Sequence, residues 1–116
     1  MELRFKSLNK DKQKQLESIR KNINNIILTY HTVDRNKYKI DKKELLYNIH
    51  NGKILSYQKN KDGRKNEVLK IGSRKYYHIE GIRVNLIIVL DITENVIITA
   101  YFRDTKYHTY NVGKNI

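Results

Sequence analysis

The sequence contains no cysteine and no proline, and each absence narrows what the chain can be. Without cysteine it has no disulfide framework, no thiolate nucleophile and no cysteine-based zinc site. Without proline it lacks rigid stops, so the sequence marks no linker between domains. The charged N-terminus has no apolar segment of the kind found in signal peptides, and no apolar run approaches the roughly 18 residues that cross a bilayer. We therefore expect a soluble cytoplasmic protein that is not inserted in a membrane.

Positive charge is what the sequence has in excess. Lys and Arg total 24 against 12 Asp and Glu, so the 116 residues carry a formal net charge of +12. A charge this large on a small chain indicates a polyanionic partner, with nucleic acid the first choice and an anionic membrane the second. The excess can also reflect a composition that is rich in Lys, Asn and Ile throughout. The length predicts a single domain, residues 1–116, with one core.

Apolar residues concentrate in one stretch, residues 83–103, with the sequence RVNLIIVLDITENVIITAYFR. Its two runs rich in Val and Ile flank a polar turn at 91–95, which predicts an antiparallel hairpin. We expect Leu90 to lie opposite Val96, so that alternating side chains form a wholly apolar core face. That face is predicted to consist of Leu86, Ile88, Leu90, Ile98, Ala100 and Phe102. The other face, a candidate working surface, is predicted to carry Ile87, Val89 and Ile97 near the turn and Arg83, Asn85, Thr99, Tyr101 and Arg103 toward the open end.

Two helices are predicted before this hairpin. Residues 11–28 have the apolar periodicity of an amphipathic helix. Asp41, followed three residues later by Glu44, has the form of a capping box at the start of a second helix. The buried stripe of that helix is predicted to consist of Leu45, Leu46 and Ile49. We expect Gly52 to end it, because glycine adopts the left-handed conformation without a Cβ clash.

After the second helix the apolar pattern changes to period two, which predicts strands. The predicted strands are residues 53–59, 66–71 and 75–79, and residues 1–8 mildly favour a further short strand. Helices followed by a run of strands indicate an α+β domain. We expect an antiparallel sheet of four or five strands with the two N-terminal helices packed on one face. The second face of such a sheet can stay open.

Three segments of the sequence occur in an order that suggests a known family. They are the pair His31 and Arg35, spaced as H-x3-R; the predicted helix 41–52; and the final segment Ile97-Ile98-Thr99-Ala100-Tyr101. In this order they resemble the barnase–EndoU–colicin–RelE (BECR) ribonuclease superfamily, and within it the small basic RelE-like domains of bacteria and phages. The likeness covers residues 29–104, which leaves 1–28 as an N-terminal helix region and 105–116 as a polar tail.

The resemblance implies a metal-independent endoribonuclease, commonly a toxin, that acts on messenger or transfer RNA and needs no cofactor. It also implies RNA as the partner, in some cases on the ribosome, and an acidic antitoxin or immunity protein as a second partner. The chain departs from the family between Val68 and Gly81, where the segment is longer and more basic. Members of such superfamilies can also keep the fold without catalysis.

Metal-free RNA cleavage needs a base for the ribose 2′-OH, an acid for the leaving 5′-oxygen and cations around the phosphorus. His31 suits proton transfer because imidazole titrates near neutral pH, and Arg35 can hold two phosphate oxygens. Thr99 and Tyr101 are predicted to orient the phosphate, with Tyr101 as a further proton carrier or stacking platform. The predicted RNA-binding residues are Arg83, Arg103, Lys39 and Arg74, with Arg83 directly opposite Arg103.

Each of these residues also has a structural interpretation. His31 can be a surface or capping residue, Arg35 can pair with a neighbouring carboxylate, and Thr99 and Tyr101 are ordinary strand formers. The nine Tyr residues suit base stacking beside phosphates, or else their rings surround a small core. Scattered His residues and carboxylates predict no metal site. Two rival functions stay open: a non-catalytic nucleic-acid-binding regulator, and a module that binds and inhibits an acidic host protein.

Overall fold

The computed structural model describes residues 2–24, 26–28, 40–60 and 63–105. The strands are β1 (Glu2–Arg4), β2 (Ile27–Leu28), β3 (Lys53–Lys59), β4 (Glu67–Gly72), β5 (Tyr77–Ile79), β6 (Ile82–Asp91) and β7 (Val96–Asp104). The helices are α1 (Lys10–Lys21) and α2 (Lys42–Asn51), with a short 3-10 turn at Phe5–Ser7 before α1. The fold is therefore α+β, as predicted, with two helices and one mainly antiparallel sheet.

The strands form one sheet in the order β1-β3-β4-β6-β7-β2, and β5 pairs with β6 beyond the end of β4. Neighbouring strands within the described ranges are antiparallel, except that β2 runs parallel to β7. The mild strand preference of residues 1–8 is confirmed as β1, and β3 has the predicted bounds. The prediction of four or five strands is too low because the short strands β1 and β2 add to both edges of the sheet.

The core lies on one side of this sheet, which we call the first sheet face. On β6 and β7 it contains Leu86, Ile88, Leu90, Ile97 and Ala100, each at most 2 % exposed. α1 adds Leu16 to the same cluster, and α2 adds Leu45 and Ile49. α2 contacts β4, and α1 packs against α2. Both helices therefore shield the apolar residues of this face from water, which is the main source of stability in a domain of this size.

The pairing of β6 with β7 differs from the predicted register. The observed pairs are Leu86–Phe102, Ile88–Ala100, Val89–Thr99 and Leu90–Ile97. Ile98 is the extra residue of a β-bulge between the last two pairs, so Leu90 does not lie opposite Val96. Ile97 is consequently buried in the core while Ile98 is only half-buried, which reverses their predicted faces. The alternation of apolar and polar residues could not locate the bulge, because residues 96–98 are all apolar.

The turn of this hairpin is held by the carboxylate of Asp91. Its Oδ1 accepts hydrogen bonds from the backbone N–H groups of Thr93 and Glu94, both at 2.9 Å. Its Oδ2 accepts a hydrogen bond from the Asn66 side chain, just before β4. Asn95 completes the turn with φ 60°, a left-handed conformation that Asn adopts more readily than most residues. The turn therefore fixes where the pairing of β6 and β7 begins.

The first helix is shorter than predicted. α1 ends at Lys21, where the backbone N–H of Asn22 donates back to the helix. Ile23 and Ile26 are buried in the core without being helical, and Ile27–Leu28 pair with β7 as β2. Asn is a weak helix former, and β7 offers the following residues backbone partners at its edge. The prediction was wrong here because helical apolar spacing continued by coincidence into a connection and a strand.

The second helix has the predicted bounds but not all of the predicted end contacts. The Asp41 side chain caps α2 by accepting from the backbone N–H two residues on, at 3.2 Å. Glu44 does not complete a capping box; its carboxylate accepts from Lys75 Nζ at 2.9 Å. Gly52 has φ −72° and is not left-handed. A Cβ at Gly52 would overlap the Asn48 carbonyl oxygen, so close packing is what requires glycine there.

Within the described ranges, Arg20 is the buried cation, with 3 % of the residue exposed. Its Nη1 donates to the carbonyl oxygens of Ile49 at 3.1 Å and Gly52 at 2.6 Å. These oxygens lie at the C-terminal end of α2, where carbonyls lack helical partners and negative partial charge accumulates. Nε and Nη2 of Arg20 donate to Glu17 Oε2 at 3.0 and 2.7 Å. The guanidinium thereby joins α1 to the end of α2 and the start of β3.

Replacing Arg20 with Ala is expected to lower the free energy of unfolding by about 3 kcal/mol, because buried carbonyl groups lose their donors. Lys21→Ala, one residue further along α1 and exposed, is the matched control and should change it by less than about 0.5 kcal/mol. Urea denaturation followed by circular dichroism measures both values. Equal small losses in the two variants would show that the Arg20 hydrogen bonds contribute little.

Candidate nucleic-acid interface

The side of the sheet opposite the helices is the candidate interface, and we call it the second sheet face. Paired residues share a face, so the strand pairings define which side chains lie there. On β6 and β7 the pairs are Asn85–Arg103, Ile87–Tyr101 and Val89–Thr99. On β3 and β4 the pairs are Lys53–Gly72 and Ser56–Lys70, and Leu55 lies between them at a bulge.

An open depression of about 150 Å³ lies on the second sheet face. It is lined by Lys53, Leu55, Gly72, Ser73, Asn85, Ile87 and Arg103. Lys53 and Arg103 bring positive charge to its margin, and Leu55 and Ile87 make part of its floor apolar. Gly72 has no side chain to fill the depression, and a Cβ there would come within 3.1 Å of Leu55 Cδ1. Asn85 is fixed at the side by a hydrogen bond from its Nδ2 to Ser73 O at 3.2 Å.

The structure brings together part of the predicted site. Thr99, Tyr101 and Arg103 alternate along β7, all half-buried, and their side chains share the second sheet face. Arg103 lines the depression, and Tyr101 lies opposite Ile87, which also lines it. Outside the described residues lie His31, Arg35 and Lys39. The roles predicted for those three residues stay predictions.

Arg83 does not lie where the sequence places it. The prediction pairs it with Arg103, but Arg103 pairs with Asn85 because the ladder is displaced by two residues. Arg83 pairs instead with His78 of β5. Its guanidinium carbon lies 4.6 Å from the centroid of the Tyr76 ring, a cation–π contact. Arg83 therefore belongs to the β5 end of the sheet and does not line the depression.

Arg74 lies in a separate groove beside α2. The groove has a volume of about 550 Å³ and is lined by Tyr47, Asn48, Asn51, Arg74 and Lys75. Arg74 donates its Nε to the carbonyl oxygen of Asn51 at 3.0 Å, at the C-terminal end of the helix. Lys75 Nζ donates to both carboxylate oxygens of Glu44, at 2.9 and 3.1 Å, which raises the pKa of Lys75. Of the predicted RNA-binding residues within the described ranges, Arg103 thus lines the depression, Arg74 lines the groove and Arg83 lies at the β5 end of the sheet.

Toward β1 the second sheet face carries further polar groups. Lys70 Nζ lies 3.2 Å from Glu2 Oε2, and Ser56 Oγ donates to the same oxygen. Arg4 is paired opposite Ser56 and is exposed. Exposed ion pairs contribute little free energy, so Lys70 can exchange its carboxylate for a phosphate. Lys53 and Lys70 were absent from the predicted site, because only the pairing of β3 with β4 places them beside the β7 residues.

A cluster of polar groups at the turn end of the sheet ties α1 to β3 and β4. Tyr57 Oη donates to Glu67 Oε1 at 2.6 Å, and Lys12 Nζ donates to the same oxygen at 3.1 Å. The hydrogen bond from Tyr57, aided by Lys12, lowers the pKa of Glu67 despite its partial burial. Burial and the bond to Glu67 together raise the pKa of Tyr57. The geometry is that of a structural link between helix and sheet.

Comparisons with protein-family models, with curated proteins and with solved structures found no match to this chain. In the part of the chain that the structure describes, no three His, Asp or Glu side chains lie close enough together to hold a metal ion. No helix within the described ranges has the length and apolarity to cross a membrane.

Glu67→Gln is expected to destabilise the fold near neutral pH and to have little effect in acid. The folded-state pKa of Glu67 is lowered from its ordinary value of 4.5. The carboxylate therefore stabilises the fold fully above pH 4.5, and this stabilisation is lost as the pH falls through the folded-state pKa. The expected loss at neutral pH is about 1–2 kcal/mol, typical of a hydrogen bond to a charged group.

Urea denaturation at about pH 7 and about pH 3 measures this dependence. Glu94→Gln, which changes an exposed carboxylate in the β6–β7 turn, is the control. A difference between the Glu67 variant and the original protein that does not change with pH would contradict the assignment.

Proposed function

We propose that this protein binds single-stranded RNA on the second sheet face. The observation that carries the proposal is the juxtaposition of the Tyr101 ring and the Thr99 hydroxyl with the cations Arg103, Lys53 and Lys70. Single-stranded nucleic acid is held by aromatic rings that stack on bases and by cations that follow the backbone. The net charge of +12 adds long-range attraction to a polyanion.

The depression beside Tyr101 suits a single nucleobase. A cavity of roughly 150 Å³ is large enough for a benzene-sized ring, and this one has that volume. Leu55 and Ile87 provide apolar contact, and the Asn85 amide provides a polar group of the kind that recognises base edges. Lys53 and Arg103 at its margin are placed to contact the adjoining phosphates. In this arrangement the phosphate contacts position the strand and the depression receives a base.

The resemblance to the BECR superfamily extends this proposal to metal-independent cleavage. In that reaction a base removes the proton of the ribose 2′-OH, and the 2′-oxygen attacks phosphorus. An acid then protonates the departing 5′-oxygen, which leaves a 2′,3′-cyclic phosphate. Thr99 and Tyr101 would orient the phosphate, and Arg103 would stabilise its developing charge. His31 would act as the base or the acid, Tyr101 is the further candidate proton carrier, and Arg35 would add a phosphate contact.

A non-catalytic RNA-binding protein would use the same surface without His31, and this is the second candidate. It is supported by the same observation, because the described residues account for binding by themselves. An inhibitor of an acidic host protein would also use the cations, but it would have no use for a base-sized depression beside a tyrosine ring. Binding and cleavage therefore have to be measured separately.

Tyr101→Ala and Arg103→Ala are each expected to weaken RNA binding about tenfold, the value of one stacked base or one charged contact. Fluorescence anisotropy of a labelled single-stranded 2′-O-methyl RNA, which cannot be cleaved at the 2′-oxygen, measures binding alone. Arg64→Ala removes one exposed positive charge between β3 and β4 and is the control, with an expected loss below about twofold. An equal loss in all three variants would mean that only net charge matters.

Unmodified single-stranded RNA is expected to be cleaved in the presence of EDTA, with 2′,3′-cyclic phosphate ends. His31→Ala should reduce the rate at least about 100-fold, as removal of a general acid or base does. His78→Ala, on β5 and exposed, is the control and should leave the rate unchanged. Gel electrophoresis gives the rate, and mass spectrometry identifies the ends. A requirement for Mg²⁺, or cleavage that survives loss of both His31 and Arg35, would contradict the catalytic part; bound but intact RNA would favour the non-catalytic candidate.

A further inference from the structure

The groove beside α2 is lined by one exposed ring and two cations, and a second exposed ring, Tyr76, directly follows these cations in the chain. Tyr47 is 52 % exposed and Tyr76, which follows Arg74 and Lys75 in the chain, is 53 % exposed. Each ring has a cation beside it: Lys75 Nζ lies 5.1 Å from the Tyr47 centroid, and Arg83 stacks on Tyr76. Rings in this arrangement are already oriented by their cations and retain exposed surface on which a base can stack.

The cations of the groove are available to a phosphate. Arg74 uses its Nε for the bond to Asn51 O, and its terminal nitrogens make no hydrogen bond with the described part of the chain. Lys75 shares its charge with Glu44, but both groups are exposed, and exposed pairs exchange partners at little cost. The volume of about 550 Å³ lies within the range of sites that hold small organic ligands.

Residues that line the depression on the second sheet face and the groove are consecutive in the connection between β4 and β5. Ser73 lines the depression, and the next two residues, Arg74 and Lys75, line the groove. Ser73 is held to β6 by backbone and side-chain hydrogen bonds with Leu86, at 2.8 and 2.9 Å. Its hydroxyl also donates to Lys75 O at 2.8 Å. A ligand strand that leaves the depression would therefore turn around Ser73, from the second sheet face to the side of α2, to enter the groove.

We propose that the groove is a second nucleotide-binding site, which holds the RNA strand where it leaves the second sheet face. Tyr47 stacks on a base there, and Arg74 contacts a phosphate. This inference rests on the proposed function and adds that the RNA ligand must extend beyond the nucleotides held by the sheet. A free mononucleotide has the same chemistry as one unit of RNA, so the experiment includes both.

The test is fluorescence anisotropy of two labelled 2′-O-methyl RNAs, a tetranucleotide and a dodecanucleotide. The original protein is expected to bind the longer RNA at least about tenfold more tightly, the value of an added stacked base. The double variant Tyr47→Ala, Arg74→Ala should lose this gain and keep its affinity for the tetranucleotide. Arg64→Ala, which also removes an exposed arginine, should retain the gain. Thermal denaturation confirms that each variant is folded.

Three results would overturn the second site: a length gain that persists in the double variant, an equal loss of the gain in Arg64→Ala, or no gain in the original protein. Adenosine monophosphate that binds as tightly as the dodecanucleotide would overturn the RNA assignment and identify the groove as a free-nucleotide site. If the second sheet face does not bind RNA, the result is different. The tetranucleotide then does not bind, or it binds the Tyr101→Ala variant as tightly as the original protein. That result overturns both proposals.

Discussion

The backbone ladder between β6 and β7 determines which residues of the C-terminal half can meet a ligand. The Asp91 carboxylate fixes the turn, and the bulge at Ile98 sets the alternation that follows. From there Thr99, Tyr101 and Arg103 lie away from the helices, while Ala100 packs in the core. A slip of one residue would exchange these two sets, so the core and the candidate interface depend on the same hydrogen bonds.

The cations of the described residues fall into two groups. Arg20 and Lys12 bind carbonyl and carboxylate oxygens of other elements and hold α1 to the rest of the fold. Lys53, Arg103 and Arg74 line the depression and the groove, both of which open to solvent. Stability alone gives no reason to place cations there, since surface charges of one sign repel each other. The proposed polyanionic ligand would give that reason.

Residue patterns that extend over a few positions predicted the elements whose bounds depend on residues close in the chain. Helix α2 and strand β3 have the expected bounds because capping, apolar spacing and a closely packed glycine act within a few residues. The bulge at Ile98 and the early end of α1 depend on pairing with distant strands. At the bulge every residue is apolar, and after Lys21 the continued helical spacing of the Ile residues outweighed the Asn residues between them. Arg20 had a signal that went unused: a cation four residues after Leu16, on the buried stripe of the helix. Of the interface, the shared face of Asn85, Ile87, Val89, Thr99, Tyr101 and Arg103 was available from sequence. The approach of Lys53 and Lys70 was not, because it depends on the strand order.

The central claim is that RNA lies across the second sheet face. The most direct measurement is the change in backbone amide resonances, in proton–nitrogen correlation spectra, as single-stranded 2′-O-methyl RNA is added. The account predicts the largest changes at residues of β4 and β7 around the depression, such as Lys70, Gly72, Tyr101 and Arg103, and small changes along α1. Changes confined to α1, with the amides of β7 unmoved, would contradict it.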